Sequence, residues 1–199
     1  STDLKDITRY QPGISVYDPR DINYGGSQST GNVNIRGMRQ NRILNIQDGI
    51  RLPAGFYGVG YDYSNANTVD YYTLNTIDIL KGPASSLYGS DALGGVISYN
   101  TLTVDDLLED GENFTFEIPA SFNGANESFA GGGRVAYRDE ESGLSFLTVL
   151  STSDSKELEP NGAPKIYVND AKISTNAALL NINKQINPSN KIGFTVDTY

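Results

Sequence analysis

Histidine and cysteine are both absent from this 199-residue chain, and their absence removes most side-chain chemistry. Without histidine there is no Ser-His-Asp arrangement, no imidazole-based zinc site and none of the commonest general base. Without cysteine there is no disulfide, thiolate metal site or cysteine nucleophile. Serine and aspartate are plentiful, but no base stands beside a nucleophile at a recognisable spacing. The chain therefore reads as a non-enzyme, with no catalytic residue, no metal site and no cofactor.

Three groups of residues could still bind something. Arg36, Arg39, Arg42 and Arg51 form the first. The planar donor fork of arginine suits contacts to carboxylates, and no P-loop or GxGxxG accompanies these residues to suggest a phosphate. Tyr57, Tyr61, Tyr63, Tyr71 and Tyr72 form the second, all within Ala54 to Thr73. Tyrosine joins a broad aromatic face to a polar tip, which suits a flat or amphipathic ligand. Packing against an enclosing wall is the competing use. Asp105, Asp106, Glu109, Asp110 and Glu112 form the third. Their spacing does not match an EF-hand loop, so a solvated acidic linker is expected over 104–113.

Composition narrows the partners. The net charge is −9, which argues against nucleic acid and offers no polybasic membrane anchor. No run of about 18 apolar residues encodes a transmembrane helix. Tyrosines outnumber phenylalanines 13 to 7 and glycines number 21, a texture that fits strands whose two faces meet different solvents. No signal peptide is visible at Ser1, so the chain is expected to start inside a mature protein.

The stretch from Ile77 to Ile97 organises the positions of these groups. Ile77-Asp78-Ile79-Leu80 reads as a short strand, and Gly82-Pro83 stops it because proline offers no ladder donor. Ala84 to Tyr88 has the length of one helical turn, and Gly89 ends it. Gly94-Gly95 allows close packing before a second strand at Val96 to Tyr99. Upstream, Asp3 to Tyr10 has helical spacing with Asp3 as N-cap, Pro12-Gly13 ends it, and Ile14 to Val16 begins a strand. Strands are expected at Asn32 to Arg36, Arg42 to Ile46 and Ile50 to Leu52, with Asp48-Gly49 as a tight turn. Ala54 to Thr73 is expected to be a long irregular loop.

KGPASSLYGSDALGGVI, with Lys81, Gly82, Pro83, Tyr88, Gly89, Gly94 and Gly95, resembles the plug signature of TonB-dependent outer-membrane receptors. Asn34-Ile35-Arg36-Gly37-Met38-Arg39 through Ile46-Gln47-Asp48-Gly49-Ile50-Arg51 resembles the same family's "IRG … DG-apolar-R" segment. The two occur in family order, and the resemblance runs from about Leu4 to Asn100. It implies a plug domain over 1–103 and assigns Arg36 and Arg51 to contacts with an enclosing barrel wall. It places the tyrosine loop toward the outside face, where substrate is first held. No convincing copy of the family's TonB box is found.

From Phe114 the pattern alternates. Phe114, Phe116, Ile118, Ala120 and Phe122 share one face. Val135 and Tyr137 lie opposite Arg134 and Arg138, and Ile192, Phe194 and Val196 share a face near the end of the chain. Leu144 to Ser153 alternates poorly. Five strands of about ten residues are expected over 114–199, the length of a tilted membrane-spanning strand. Glu140 to Gly143 and Asn187 to Asn190 are short turns, whereas Asp154 to Thr175 is long, the loop asymmetry of outer-membrane barrels. Five strands leave open edges that lipid cannot satisfy. The expected architecture is therefore an α+β plug, a small mixed sheet with short helices, followed by the first antiparallel strands of a large transmembrane β-barrel of about 22 strands.

The resemblance implies active import across the outer membrane of a Gram-negative-type bacterium, powered by a TonB-type inner-membrane energy-transducing complex. The wording IRGM … QDGIRLP is closest to receptors for haem, haemoglobin or ferric siderophores, so an iron chelate or haem is the expected ligand. Haem ligation from this chain would need tyrosine in place of imidazole. The alternative is an adhesin or sensor that binds without transporting.

Overall fold

The computed structural model describes residues 8–16, 33–39, 42–53, 55–57, 62–64, 69–124, 128–155 and 173–198. The chain divides into two compact units. The first comprises 1–71, 76–100 and 157–171, and the second comprises 72–75, 101–156 and 172–199.

In the first unit, β1 (Ile14–Val16) pairs antiparallel with β2 (Val33–Ile35). The expected helix before β1 lies mostly outside the described residues, although Thr8 is helical. β3 (Ile43–Gln47) and β4 (Ile50–Arg51) form a hairpin across Asp48-Gly49. Both turn residues have positive φ, 49° and 81°, as that dipeptide predicts. β5 (Gly55–Tyr57) and β6 (Asp62–Ser64) pair antiparallel inside the stretch expected to be irregular. Then come β7 (Leu74–Lys81), the single helical turn α1 (Ser85–Tyr88) and β8 (Gly95–Thr101). The turn starts two residues after Pro83, with Ala84 at its N-cap position.

These strands give a mixed four-stranded sheet in the order β4-β3-β8-β7, in which β3 runs parallel to β8. Ile43 to Ile46 are buried in succession, as a strand covered on both faces requires. Leu44, Ile46, Ala84, Ala92 and Val96 form one core cluster. Ile35, Ile97 and Tyr99 are fully buried.

The second unit is antiparallel. β9 (Phe114–Glu117) and β10 (Ala120–Asn123) both pair with β11 (Ser128–Asp139). The register is continuous, with Glu117 opposite Arg134 and Ala120 opposite Gly131, so the two pieces run as one strand. Pro119 lacks the donor that would join them, while its carbonyl still accepts from Gly132 N at 3.0 Å. β12 (Leu144–Ser155), β13 (Ile173–Asn187) and β14 (Asn190–Thr198) follow in order. The loop between β12 and β13 lies outside the described residues.

Along the ladder, Phe114, Tyr137, Phe146, Ile182 and Phe194 are successive cross-strand partners. This row is apolar on every strand, with the Tyr137 and Phe146 rings 5.5 Å apart. Leu150, Ile192 and Val196 are exposed on the same face. The opposite face holds Ala136, Leu147, Val149 and Leu179, all buried.

What covers that buried face is the segment expected to be a solvated linker. Leu102, Val104 and Leu108 join Ala136, Leu147, Val149 and Leu179 in a single cluster, with Leu107 packed against it. Thr103 and Asp106 close a capping box around a 3-10 turn at Val104–Asp106. The acids point away from the cluster: Asp105 pairs with Arg138, and Asp106 accepts from Asn75 at 2.6 Å. The apolar residues between the acids make this segment part of a core.

Candidate functional site

The signature stretch is a closed loop between β7 and β8. Gly82 N donates to Gly94 O at 3.1 Å, and Ala84 N donates to Ala92 O at 2.9 Å. Ala84 and Ala92 are buried at the base, while Leu87 and Tyr88 are exposed at the tip. Gly89 ends the helical turn at φ +82°, a conformation that disfavours any residue with a Cβ. The doublet Gly94-Gly95 serves close approach. A Cβ on Gly94 would sit 2.7 Å from Met38 Cβ, and one on Gly95 would collide with the Leu80 carbonyl and lie 2.9 Å from Ile35 Cδ1.

Two basic residues hold this loop. Arg51 Nη1 meets Asp91 Oδ2 at 2.6 Å, and its Nη2 donates to the carbonyls of Ser90 at 3.0 Å and Tyr88 at 3.4 Å. Asp91 has φ +76°, so the loop turns its carboxylate into place with a strained backbone. Both side chains of the pair are more than two-fifths exposed, so the pair itself is worth about 0.2–1 kcal/mol. Lys81 Nζ donates to the Pro12 carbonyl at 3.1 Å and lies 3.3 Å from Gln11 Oε1, which ties the N-terminal segment to the end of β7.

The described contacts of Arg51 are thus internal to the first unit. Arg36 is exposed at φ 50°, and its N–H donates to Gly13 O at 2.8 Å. Tyr57 and Tyr63 are strand residues of the β5–β6 hairpin, in successive cross-strand pairs with Asp62 and Phe56. Tyr61 lies outside the described residues. Tyr71 and Tyr72 sit in a 3-10 turn at Tyr71–Thr73, just ahead of β7. Tyr71 belongs to the first unit and Tyr72 to the second.

Sequence patterns did not single out Asn45, a buried polar residue on β3. The Tyr99 hydroxyl reaches Asn45 Oδ1 at 3.4 Å, and burial pushes the Tyr99 pKa up from its ordinary value. Asn100 donates to Thr76 Oγ1 at 2.9 Å and Asp78 Oδ2 at 2.8 Å, closing the polar edge beside β7. A cleft of about 310 Å³ in the second unit is lined by Asp105, Arg138, Asn183 and Lys191 among others. Among the described residues no His/Cys/Asp/Glu cluster could hold a metal ion. The arrangement is a set of hydrogen-bonded clasps around a compact loop.

The model of the TonB-dependent Receptor Plug Domain matches residues 1–96. Lactoferrin-binding protein A of Neisseria meningitidis is 27% identical over 167 residues, covering 80% of this chain and 17% of that protein. A hemin receptor of Yersinia pestis is 31% identical over 137 residues, covering 68% of this chain and 18% of that protein. The chain therefore spans under a fifth of these relatives. Among solved structures, the hemophore receptor HasR of Serratia marcescens superimposes with a TM-score of 0.77 at 22% identity, over 98% of this chain and 28% of that one. The FrpB iron transporter of Neisseria meningitidis gives 0.72 at 20% identity, over 98% and 29%. At these identities the structural likenesses establish the fold alone.

Proposed function

We propose, from residues 1–96 being a plug domain of the TonB-dependent receptor family, that the chain gates import of an iron compound across the outer membrane. The plug match is the observation that carries this reading. The apolar row on one face of the second unit supports a lipid-facing wall, in a barrel of about 22 strands. Relatives named as a hemin receptor and a lactoferrin-binding protein A support an iron compound as ligand, haem or a ferric siderophore. A TonB-type inner-membrane complex supplies the pull, and 1–103 yields to it as the gate. Arg36 faces acidic positions of the enclosing wall, as does Arg51 beyond its clasp on Asp91. Tyr57, Tyr61, Tyr63, Tyr71 and Tyr72 are the candidate ligand contacts, of which at least one touches the substrate.

The test is uptake of radio-iron by a strain lacking the gene and by the same strain complemented with the full-length protein. Haemin and a ferric catecholate are supplied separately under iron restriction. Complemented cells are expected to accumulate label from one of them, and a protonophore is expected to abolish accumulation. Binding to cells without energy-dependent accumulation of either would overturn import and favour a receptor that binds or senses.

A further inference from the structure

Tyr72 is held from three sides within the second unit. Its hydroxyl lies 2.8 Å from Ser121 Oγ and 3.0 Å from the Ala130 carbonyl. A carbonyl only accepts, so the phenol proton goes to Ala130 and Ser121 donates to the phenol oxygen. Ser121 and Ala130 are cross-strand partners on β10 and β11, so the phenol caps one rung of the ladder. Arg134 Nη2 donates to the Tyr72 carbonyl at 2.9 Å. The next residues continue the attachment. Thr73 is fully buried and accepts from Leu102 N at 2.8 Å, and Asn75 donates to Asp106. Residues 72–75 thus belong with the strand unit, while the chain up to 71 and from 76 to 100 belongs to the first.

Ahead of Tyr72, the lightly tied described element is β1, none of whose three residues is buried. β1 and β2 share three residue pairs, and Lys81 holds the Gln11-Pro12 stretch with one ammonium group. Elements with few buried contacts open at lower free energy than elements knitted into a core.

We propose that Tyr72 is a pin. It is a positioning residue that holds the start of β7 on the barrel-forming strands while the plug segment ahead of it is displaced. The proposal rests on the reading of this chain as a plugged receptor. It assigns the phenol a mechanical role that the tyrosine-rich sequence around it does not distinguish from ligand contact.

The test is amide hydrogen exchange, read by mass spectrometry on the full-length receptor in detergent micelles. In the wild type, the peptide containing Thr73 to Lys81 and that containing Leu102 are expected to exchange more slowly than that containing Ile14 to Val16. Tyr72→Phe removes only the hydroxyl. It is expected to speed exchange at Leu102 and the start of β7 about fivefold, leaving Ile43 to Gln47 unchanged. Ser121→Ala is expected to act in the same direction, and to add less than its separate effect when combined with Tyr72→Phe. Unchanged exchange at Leu102 in Tyr72→Phe, or strictly additive effects of the two substitutions, would overturn the pin. Uptake is not read in this experiment, so failure of the import reading would show in the uptake assay alone.

Discussion

Gly95 shows how little space the signature leaves. Its missing Cβ makes room for the Leu80 carbonyl on one side and Ile35 Cδ1 on the other, and Leu80 O is backbone that cannot step aside. Gly95→Ala is expected to destabilise the plug by about 1–3 kcal/mol through overpacking. Faster hydrogen exchange across β7 and β8 in the full-length protein would report this, and exchange at the wild-type rate would refute it. The glycine doublet is legible in the sequence, because two glycines before an apolar run announce close backbone approach. The partner of Arg51 is not legible. Asp91 lies 40 residues away and is aimed by a positive φ that no spacing rule anticipates. Tyr72 was likewise visible only as one tyrosine among five, since its three partners sit on strands more than 45 residues later.

At the scale of elements, strands with clear alternating or continuous apolar runs are the ones the sequence describes well. β2, β3, β7 and β8 fall within a few residues of their alternating or continuous apolar runs. β12 alternates poorly because both its faces are apolar: Leu147 and Val149 are buried against the 102–108 segment, while Leu144 and Leu150 are exposed. The cause of the irregularity is thus the same packing that turns the acidic segment into core. Counting charges over 104–113 concealed Val104 and Leu108, which with Leu102 just ahead of them are buried against β11, β12 and β13. Leu147→Ala should therefore cost about 2–5 kcal/mol, as a fully buried leucine does. Leu150→Ala, with its side chain exposed, should cost far less. Denaturant unfolding of the full-length protein in micelles measures both, and equal losses would show that the 102–108 segment does not form the working core. The β5–β6 hairpin escaped the sequence because its short strands lack the apolar alternation that marks a half-buried surface.

At the scale of the molecule, the family was legible from two motifs, whereas closure of the barrel is not a property that five strands carry. What those strands do carry is an exposed apolar row on one face, and the solvent that row meets decides what a charge placed in it does. In a soluble β-sandwich an exposed apolar row from Phe114 to Phe194 would be a liability, and a charge placed in it would be neutral or helpful. In a bilayer the same charge loses its hydration. Leu150 sits near the middle of the twelve-residue β12, on the face shared with Phe146 and opposite Leu147 and Val149. Leu150→Arg is therefore expected to destabilise the full-length protein by about 2–4 kcal/mol when it is folded into phosphatidylcholine vesicles and titrated with guanidinium. Because that penalty belongs to the hydrocarbon, it should shrink in detergent micelles, where water reaches the substituted side chain. A variant as stable as the wild type in vesicles would mean that this face does not meet lipid. The apolar row would then have to be covered by protein.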